Sequence, residues 1–223
     1  MTQHYLDEYL VWLRFANAGM LCKGNIISME LAVRSIPDDT AVVEIGSFCG
    51  LSTNVITFFK EIYKKKNPLF CSDRWDFEGA EQKDSFVGSS SITHVQYKAF
   101  VKETFRSNIS MFSQYDMPHP IEAYSDDFFS SWEKEQKSLD IFGNEVTLGG
   151  PIGFCYIDGN HTYDFAKKDF INTDKHLISG GFILFDDSGA DSPWGVKDVI
   201  AEVKETGQYE VILNNPNYMF RKK

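Results

Sequence analysis

Hydrophobic residues recur along the chain in two alternating rhythms. Leu6, Leu10 and Leu13 fall at helical spacing within His4–Ala16, and Tyr5, Tyr9, Trp12 and Phe15 make this segment strongly aromatic. A second helix is expected over Asn25–Ile36, stopped by Pro37. Ala41–Ile45 is a short apolar run of the kind a strand covered on both faces requires, and Val55, Phe59 and Ile62 mark a helix after it. The alternation continues with a second strand at Leu69–Ser72, a helix at Ala99–Phe112, a third strand at Pro120–Tyr124 and a helix from Phe128 to Lys137. A fourth strand, Ile152–Ile157, precedes a helix carrying Ala166, Phe170, Thr173 and Leu177, which Gly180-Gly181 is expected to terminate. Phe182–Phe185 is the fifth strand and Val196–Glu205 the last helix. Tyr209–Leu213 and Tyr218–Arg221 flank Asn214-Asn215-Pro216-Asn217, a turn signal joining an antiparallel pair.

Strands alternating with helices predict an α/β architecture around a mostly parallel sheet. We expect one domain over residues 1–223, with residues 1–37 as an N-terminal helical cover. Residues 78–93 are rich in Ser, Gly and charge and read as a lid or a disordered stretch. Residues 138–151 interrupt the alternation and read as an inserted hairpin or loop.

Composition narrows the classes. With 43% hydrophobic residues the chain can bury a sizeable core, and a formal charge of −10 argues against a nucleic-acid partner. No apolar run is long enough for a membrane span, and the first ten residues hold Asp7 and Glu8 without an apolar core, so no signal peptide is read and a cytoplasmic location is expected. Cys22, Cys49, Cys71 and Cys155 are scattered, which excludes a zinc ribbon or disulfide framework as an expectation. The aromatic excess of the first helices reads either as internal packing or as a homodimer surface.

The chemistry gathers where strands end. Glu44-Ile45-Gly46-Ser47-Phe48-Cys49-Gly50-Leu51-Ser52 is a strand, a glycine turn and a helix start, with Ser52 as the expected N-cap. Such a turn at a sheet's carboxyl edge can hold a polar ligand. The spacing departs from the Gly-x-Gly-x-x-Gly dinucleotide fingerprint. Asp73 closes the second strand at a distance from the glycine turn suited to ribose hydroxyls. Trp75 is read either as stacking on adenine or as walling the core. The fourth strand ends in Asp158-Gly159-Asn160-His161 and the fifth in Asp186-Asp187. Three carboxylates on neighbouring strand ends repel unless a cation or a proton lies between them, and hard divalent ions prefer oxygen ligands.

Glu44-Ile45-Gly46-x-x-x-Gly50-x-Ser52 resembles the first motif of class I S-adenosylmethionine (SAM)-dependent methyltransferases, in the form found in metal-dependent O-methyltransferases of the caffeoyl-CoA and catechol type. Tyr156-Ile157-Asp158-Gly159-x-His161-x-Tyr163 and Gly180-Gly181-x-Ile183-x-x-Asp186-Asp187 resemble the branch that includes macrolide and aminocoumarin sugar methyltransferases. The resemblance implies a Rossmann-like fold with a seven-stranded, mostly parallel sheet and a C-terminal antiparallel pair. It implies SAM binding by Glu44, Gly46, Gly50, Ser52, Asp73, Trp75 and Asp126, the last toward adenine. It also implies Mg²⁺ at Asp158, Asp186 and Asp187, with Asp158 or His161 as the base. The acceptor implied is a small hydroxylated molecule, a sugar or glycosylated metabolite first and a phenol or catechol second. Two rival readings are an NAD-dependent oxidoreductase on the same βα unit and a non-catalytic SAM-fold interaction module.

Overall fold

The computed structural model describes residues 4–77 and 85–223. A short 3₁₀ turn, His4–Leu6, leads to α1 (Glu8–Ala16), whose start is capped by the Asp7 carboxylate accepting from Tyr9 N. α2 (Lys23–Ser35), β1 (Ala41–Ile45), α3 (Leu51–Ile62) and β2 (Leu69–Asp73) follow. Next come α4 (His94–Phe112), β3 (His119–Glu122), α5 (Ser125–Glu133) and a small hairpin of β4 (Lys137–Leu139) and β5 (Glu145–Thr147). β6 (Ile152–Ile157), α6 (Tyr163–His176), β7 (Leu177–Phe185), α7 (Val196–Glu205), β8 (Tyr209–Asn214) and β9 (Tyr218–Lys222) complete the chain.

Seven strands form one sheet in the order β3-β2-β1-β6-β7-β9-β8. Neighbours from β3 through β7 run parallel, and β9 pairs antiparallel with both β7 and β8. The expected sheet and terminal pair are therefore present. All six residues of β6 are buried, which is why its sequence is a continuous apolar run rather than an alternation. Alternate side chains feed two cores. Val43, Ile45, Cys155, Ile157, Ile183 and Phe185 face α5, α6 and α7. Val42, Phe154, Tyr156 and Leu184 face α1, α2 and α3 through Leu10, Met29, Val55 and Phe59. A third cluster joins the glycine loop to α4 through Cys49, Trp75, Val101, Phe105 and Ile109.

Several boundaries differ from the sequence reading. α4 begins at His94, five residues early, because Thr93 and Gln96 form a reciprocal capping box. Gly180-Gly181 does not end a helix. α6 stops at His176, the chain extends at Leu177, and both glycines lie within β7. A Cβ on Gly181 would stand 3.0 Å from the Gly153 carbonyl oxygen, so close strand packing explains that glycine. Of the expected lid at 78–93, residues 78–84 lie outside the described residues. Phe86 and Thr93 make an isolated antiparallel bridge ahead of α4. The interruption at 138–151 holds the β4–β5 hairpin, fastened beside β3 by Ile141 N donating to the Pro120 carbonyl. No helix among the described residues is long and apolar enough to cross a membrane.

Candidate active site at the carboxyl edge of the sheet

The turn after β1 is held from every side. Gly46 has φ +82°, and a Cβ there would lie 2.0 Å from the Asp158 carbonyl oxygen, so only glycine lets the β1 and β6 turns touch. Gly46 N donates to Ser72 O at 2.9 Å and Gly50 N to Ser47 O at 2.7 Å. Ser47 N and Phe48 N both donate to Asp73 Oδ2, at 2.7 and 2.9 Å. Asp73 Oδ1 accepts from Trp75 N at 2.6 Å. The Cys49 carbonyl accepts from Asn17 (3.0 Å) and Asn108 (2.8 Å), so the α1–α2 connection and α4 both grip the loop. Loss of hydration on burial raises the Asp73 carboxyl above the usual range, against the pull of these three backbone donors.

The other residues expected around a cofactor take different places. Glu44 is fully buried in β1, accepts from Thr53 Oγ1, and is surrounded by Ser47, Ser52 and Cys71; burial pushes its carboxyl up. Ser52 is not the N-cap. Gly50, at φ +86°, caps α3, and Ser52 is the second residue of the helix, buried beside Glu44. Trp75 does not stand free for stacking. Its positive φ of 54° turns the ring into the α4 contact with Phe105, 5.3 Å between centroids, and its indole donates to Phe48 O. Asp126 is in the first turn of α5, where it accepts from Asn172 at 3.0 Å and pairs with Lys168 at 3.5 Å. Its carboxylate faces α6 rather than the glycine loop. A ligand-side position was expected because a Ser-Asp pair follows β3, but local sequence does not tell which neighbour a helix-start acid will find.

The acids after β6 and β7 do converge. One ligand atom each of Asp158, His161 and Asp186 lies within 4.8 Å of the others. His161 bridges two acids, with Nε2 3.2 Å from Asp158 Oδ1 and Nδ1 3.0 Å from Asp187 Oδ2. Asp187, at φ +46°, thus reaches the group through His161. Loss of hydration on burial drives the Asp158 carboxyl well above its ordinary range, the His161 contact opposes this, and the Asp186 charge adds to it. Burial alone would lower His161, but Asp158 and the charges of Asp187 and Asp186 outweigh it and raise the imidazole. Trp194 stands edge-on to His161 at 5.7 Å and is part-exposed, which makes it a wall of the site.

Three further residues belong to this group: Asn217 and Asn25, to which the sequence reading gave no part in a site, and Tyr156, which it carried only inside the motif ending in Asp158. Asn217, from the β8–β9 turn, donates to Asp186 Oδ1 at 2.7 Å and to Asn25 Oδ1 at 3.0 Å. Asn25, at the start of α2, donates to the same Asp186 oxygen and to the Tyr156 hydroxyl at 3.1 Å. Tyr156 in turn donates to Asp158 Oδ2 at 3.0 Å. Both asparagines are buried; the sequence marked Asn217 only as part of a turn and Asn25 only as the start of a helix.

This donor set fits a divalent cation. Two carboxylates converge within ligand range with the His161 imidazole beside them, and buried amides orient one of the carboxylates, as ligand supports commonly do.

Comparison with known proteins agrees with this architecture. A family model described as a methyltransferase domain matches residues 43–188, which span β1 through the loop after β7. A search among curated proteins by sequence finds no match. Similar solved structures include the O-methyltransferase NovP, at TM-score 0.60 and 16% identity, covering 93% of this chain and 83% of that one. CalS11, a TDP-rhamnose 3'-O-methyltransferase of calicheamicin biosynthesis, superposes at 0.58 with 15% identity, covering 99% and 86%. An O-methyltransferase from Bacillus cereus, in complex with SAH, gives 0.57 with 15% identity, covering 100% and 92%. At such identities these likenesses speak for the fold.

Proposed function

The chain belongs to the methyltransferase-domain family, and from that premise we propose that it is a SAM-dependent O-methyltransferase acting, with a divalent cation such as Mg²⁺, on a small hydroxylated acceptor. The observation that carries this reading is the convergence of Asp158, His161 and Asp186 one strand away from the glycine loop. A sugar or glycosylated acceptor is favoured over a phenol, a choice supported by the likeness to a sugar methyltransferase.

The glycine loop also discriminates between cofactors. A dinucleotide pyrophosphate needs free peptide N–H groups at the turn and helix start. Here the N–H groups of Gly46, Ser47, Phe48 and Gly50 are already taken within the protein, while the start of α3 at Leu51 has no side-chain cap. The departure of the loop from the Gly-x-Gly-x-x-Gly spacing is what counts against a nicotinamide oxidoreductase. When bound, SAM supplies a methyl group on a sulfonium, open to in-line attack. Asp158 and Asp186 would hold a cation, which would supply Lewis acidity toward an acceptor hydroxyl.

The chain's own residues then divide the work. Asp186 is fixed in one rotamer by Asn25 and Asn217. Between the two candidate bases, Asp158 and His161, the contacts support His161. Its ring is held between Asp187, 3.0 Å from Nδ1, and Asp158, hydrogen-bonded to Nε2 at 3.2 Å, and with Nδ1 protonated toward Asp187 the Nε2 atom would take the acceptor's hydroxyl proton. Trp194 walls the same side and limits water near the proton transfer.

Thermal unfolding with SAM, S-adenosylhomocysteine or NAD, each with Mg²⁺ or EDTA, tests the reading. A ligand at 100 times its Kd stabilises by about 2.7 kcal/mol. Stabilisation by S-adenosylhomocysteine and not NAD, with a further Mg²⁺-dependent rise, is the expected result. Stabilisation by NAD alone would overturn it.

A further inference from the structure

We propose that α1 is the docking surface for a second copy of this chain, the two α1 helices crossing antiparallel about a twofold axis.

The helix is apolar on both sides. Leu10 and Leu13 point into the core at 1% and 0% exposure, whereas Val11, Trp12 and Phe15 point outward, Phe15 at 88%. Its only charged residues are Glu8 and Arg14. A helix hydrophobic all round is ordinarily buried, so its outer face calls for a cover. Trp12 meets Phe112 edge-on at 5.6 Å, which extends the face to Met111 and Tyr115 at the end of α4, the latter 89% exposed. With large side chains of roughly 150–250 Å² each, this face offers on the order of 700 Å² per copy. That is close to the ~800 Å² per partner of a standard stable interface.

The charges select the occupant. Membrane-surface helices carry a basic face drawn to anionic lipid, whereas α1 carries one acid and one base in a chain of formal charge −10. Glu8 shares the outward stripe with Val11, Trp12 and Phe15, at positions i, i+3, i+4 and i+7, and Arg14 flanks that stripe near the other end. Neither Glu8 nor Arg14 has an ion-pair partner among the described residues. An antiparallel crossing sets Glu8 of each copy beside Arg14 of the other, so the surface is self-complementary as a twofold interface demands. The same crossing would wall the cleft of about 500 Å³ that opens between Phe15, Met20 and Cys22.

Sedimentation velocity on the full chain, at 1 to 50 μM as a working range on the order of common dimer affinities, tests this independently of the reaction. The wild type should sediment as a dimer. Phe15→Glu, at a position too exposed to matter for folding, should weaken the dimer ~30-fold or more, as loss of a central aromatic contact does. Glu8→Arg and Arg14→Glu should each weaken it, and the double reversal should restore it. A monomeric wild type would overturn the proposal, as would a dimer indifferent to Phe15→Glu or a double reversal no better than the singles. Monomeric wild type binding to phosphatidylcholine vesicles would assign the face to lipid instead.

Discussion

Asn217 donates its side-chain amide to Asp186 Oδ1 at 2.7 Å, across 31 residues of sequence, and thereby ties the last hairpin of the sheet to the acid after β7. Asn25 donates to the same oxygen, and both amides are buried. The helix start that carries Asn25 is pressed onto that hairpin: a Cβ on Gly24 would lie 1.4 Å from the Asn215 carbonyl oxygen. Two donors on one oxygen leave Asp186 a single rotamer. Asn217→Asp keeps the size and the acceptor for Ser188 N–H and removes the amide donor to Asp186. Supports of this kind typically contribute 10–100-fold to metal affinity. Titration calorimetry should therefore show Mg²⁺ binding weakened by at least ~10-fold, with S-adenosylhomocysteine affinity unchanged. Equal loss of both would mean that the variant disturbs the fold rather than the acid.

Asp73 performs a comparable task for the glycine loop. One carboxylate accepts three peptide N–H groups, from Ser47, Phe48 and Trp75. Asp73→Ala strands all three. An unsatisfied buried donor costs about 1–3 kcal/mol, so urea unfolding should report a loss of roughly 3 kcal/mol or more. S-adenosylhomocysteine binding should fall with it, because the turn that carries Gly46 loses its shape. A variant of wild-type stability would show that the loop holds itself and that Asp73 serves only a ligand.

How much of this was legible beforehand follows from the range of each interaction. The strands were readable because burial on both faces forces apolar runs, as in Ile152–Ile157. The acids were readable because Asp158, Asp186 and Asp187 directly follow those runs, so strand register alone carries them to one edge. What failed was local. Leu177 continues the helical spacing of Thr173, yet the backbone extends at that residue, and nothing in the pattern marks the change. Trp75 could be read toward a ligand or toward the core, and it is a positive φ, which no local pattern marks, that sends it to the core. Asn25 and Asn217 are 192 residues apart, and only the folded sheet brings them together. His161 was legible as a residue but not as a bridge, because its link to Asp187 spans two strand ends.

Asp169 makes stability depend on pH. It is 2% exposed on α6, its Oδ1 has no hydrogen-bond partner, and it underlies the turn that carries Gly159. Burial raises its pKa to about 7, partly opposed by Ser125. A raised acid favours the folded state only while protonated. Its contribution is fully present below the unfolded value of about 3.9 and is lost as pH climbs through about 7. Asp169→Asn keeps the shape and removes the titration. The melting temperature of the variant relative to wild type should rise between about pH 4 and pH 8, by up to ~4 kcal/mol in free energy. A constant difference across that window would show that Asp169 is charged at no cost.

The position of Asp187 separates two roles that its sequence neighbourhood could not. As a ligand it would share the cation with Asp158 and Asp186. As an orienting group it would fix His161 through the 3.0 Å contact with Nδ1. The structure brings His161, and not Asp187, within 4.8 Å of both other acids, which favours the second role. Asp187→Asn keeps a side chain of the same size and can still reach the ring, but as an amide it no longer demands the Nδ1–H tautomer. The expected result is a kcat lower by about 10-fold or more, since a positioned general base contributes about 10²–10⁴-fold in all. Mg²⁺ affinity by calorimetry and acceptor KM should stay within about twofold, because an orienting residue touches neither. Long-range ¹H–¹⁵N correlations on histidine-labelled protein supply a readout free of turnover. His161 should carry its proton on Nδ1 in the wild type and lose that preference in the variant. A Mg²⁺ affinity that collapses while the tautomer stays fixed would return Asp187 to the metal and leave His161 to be oriented by Asp158 alone.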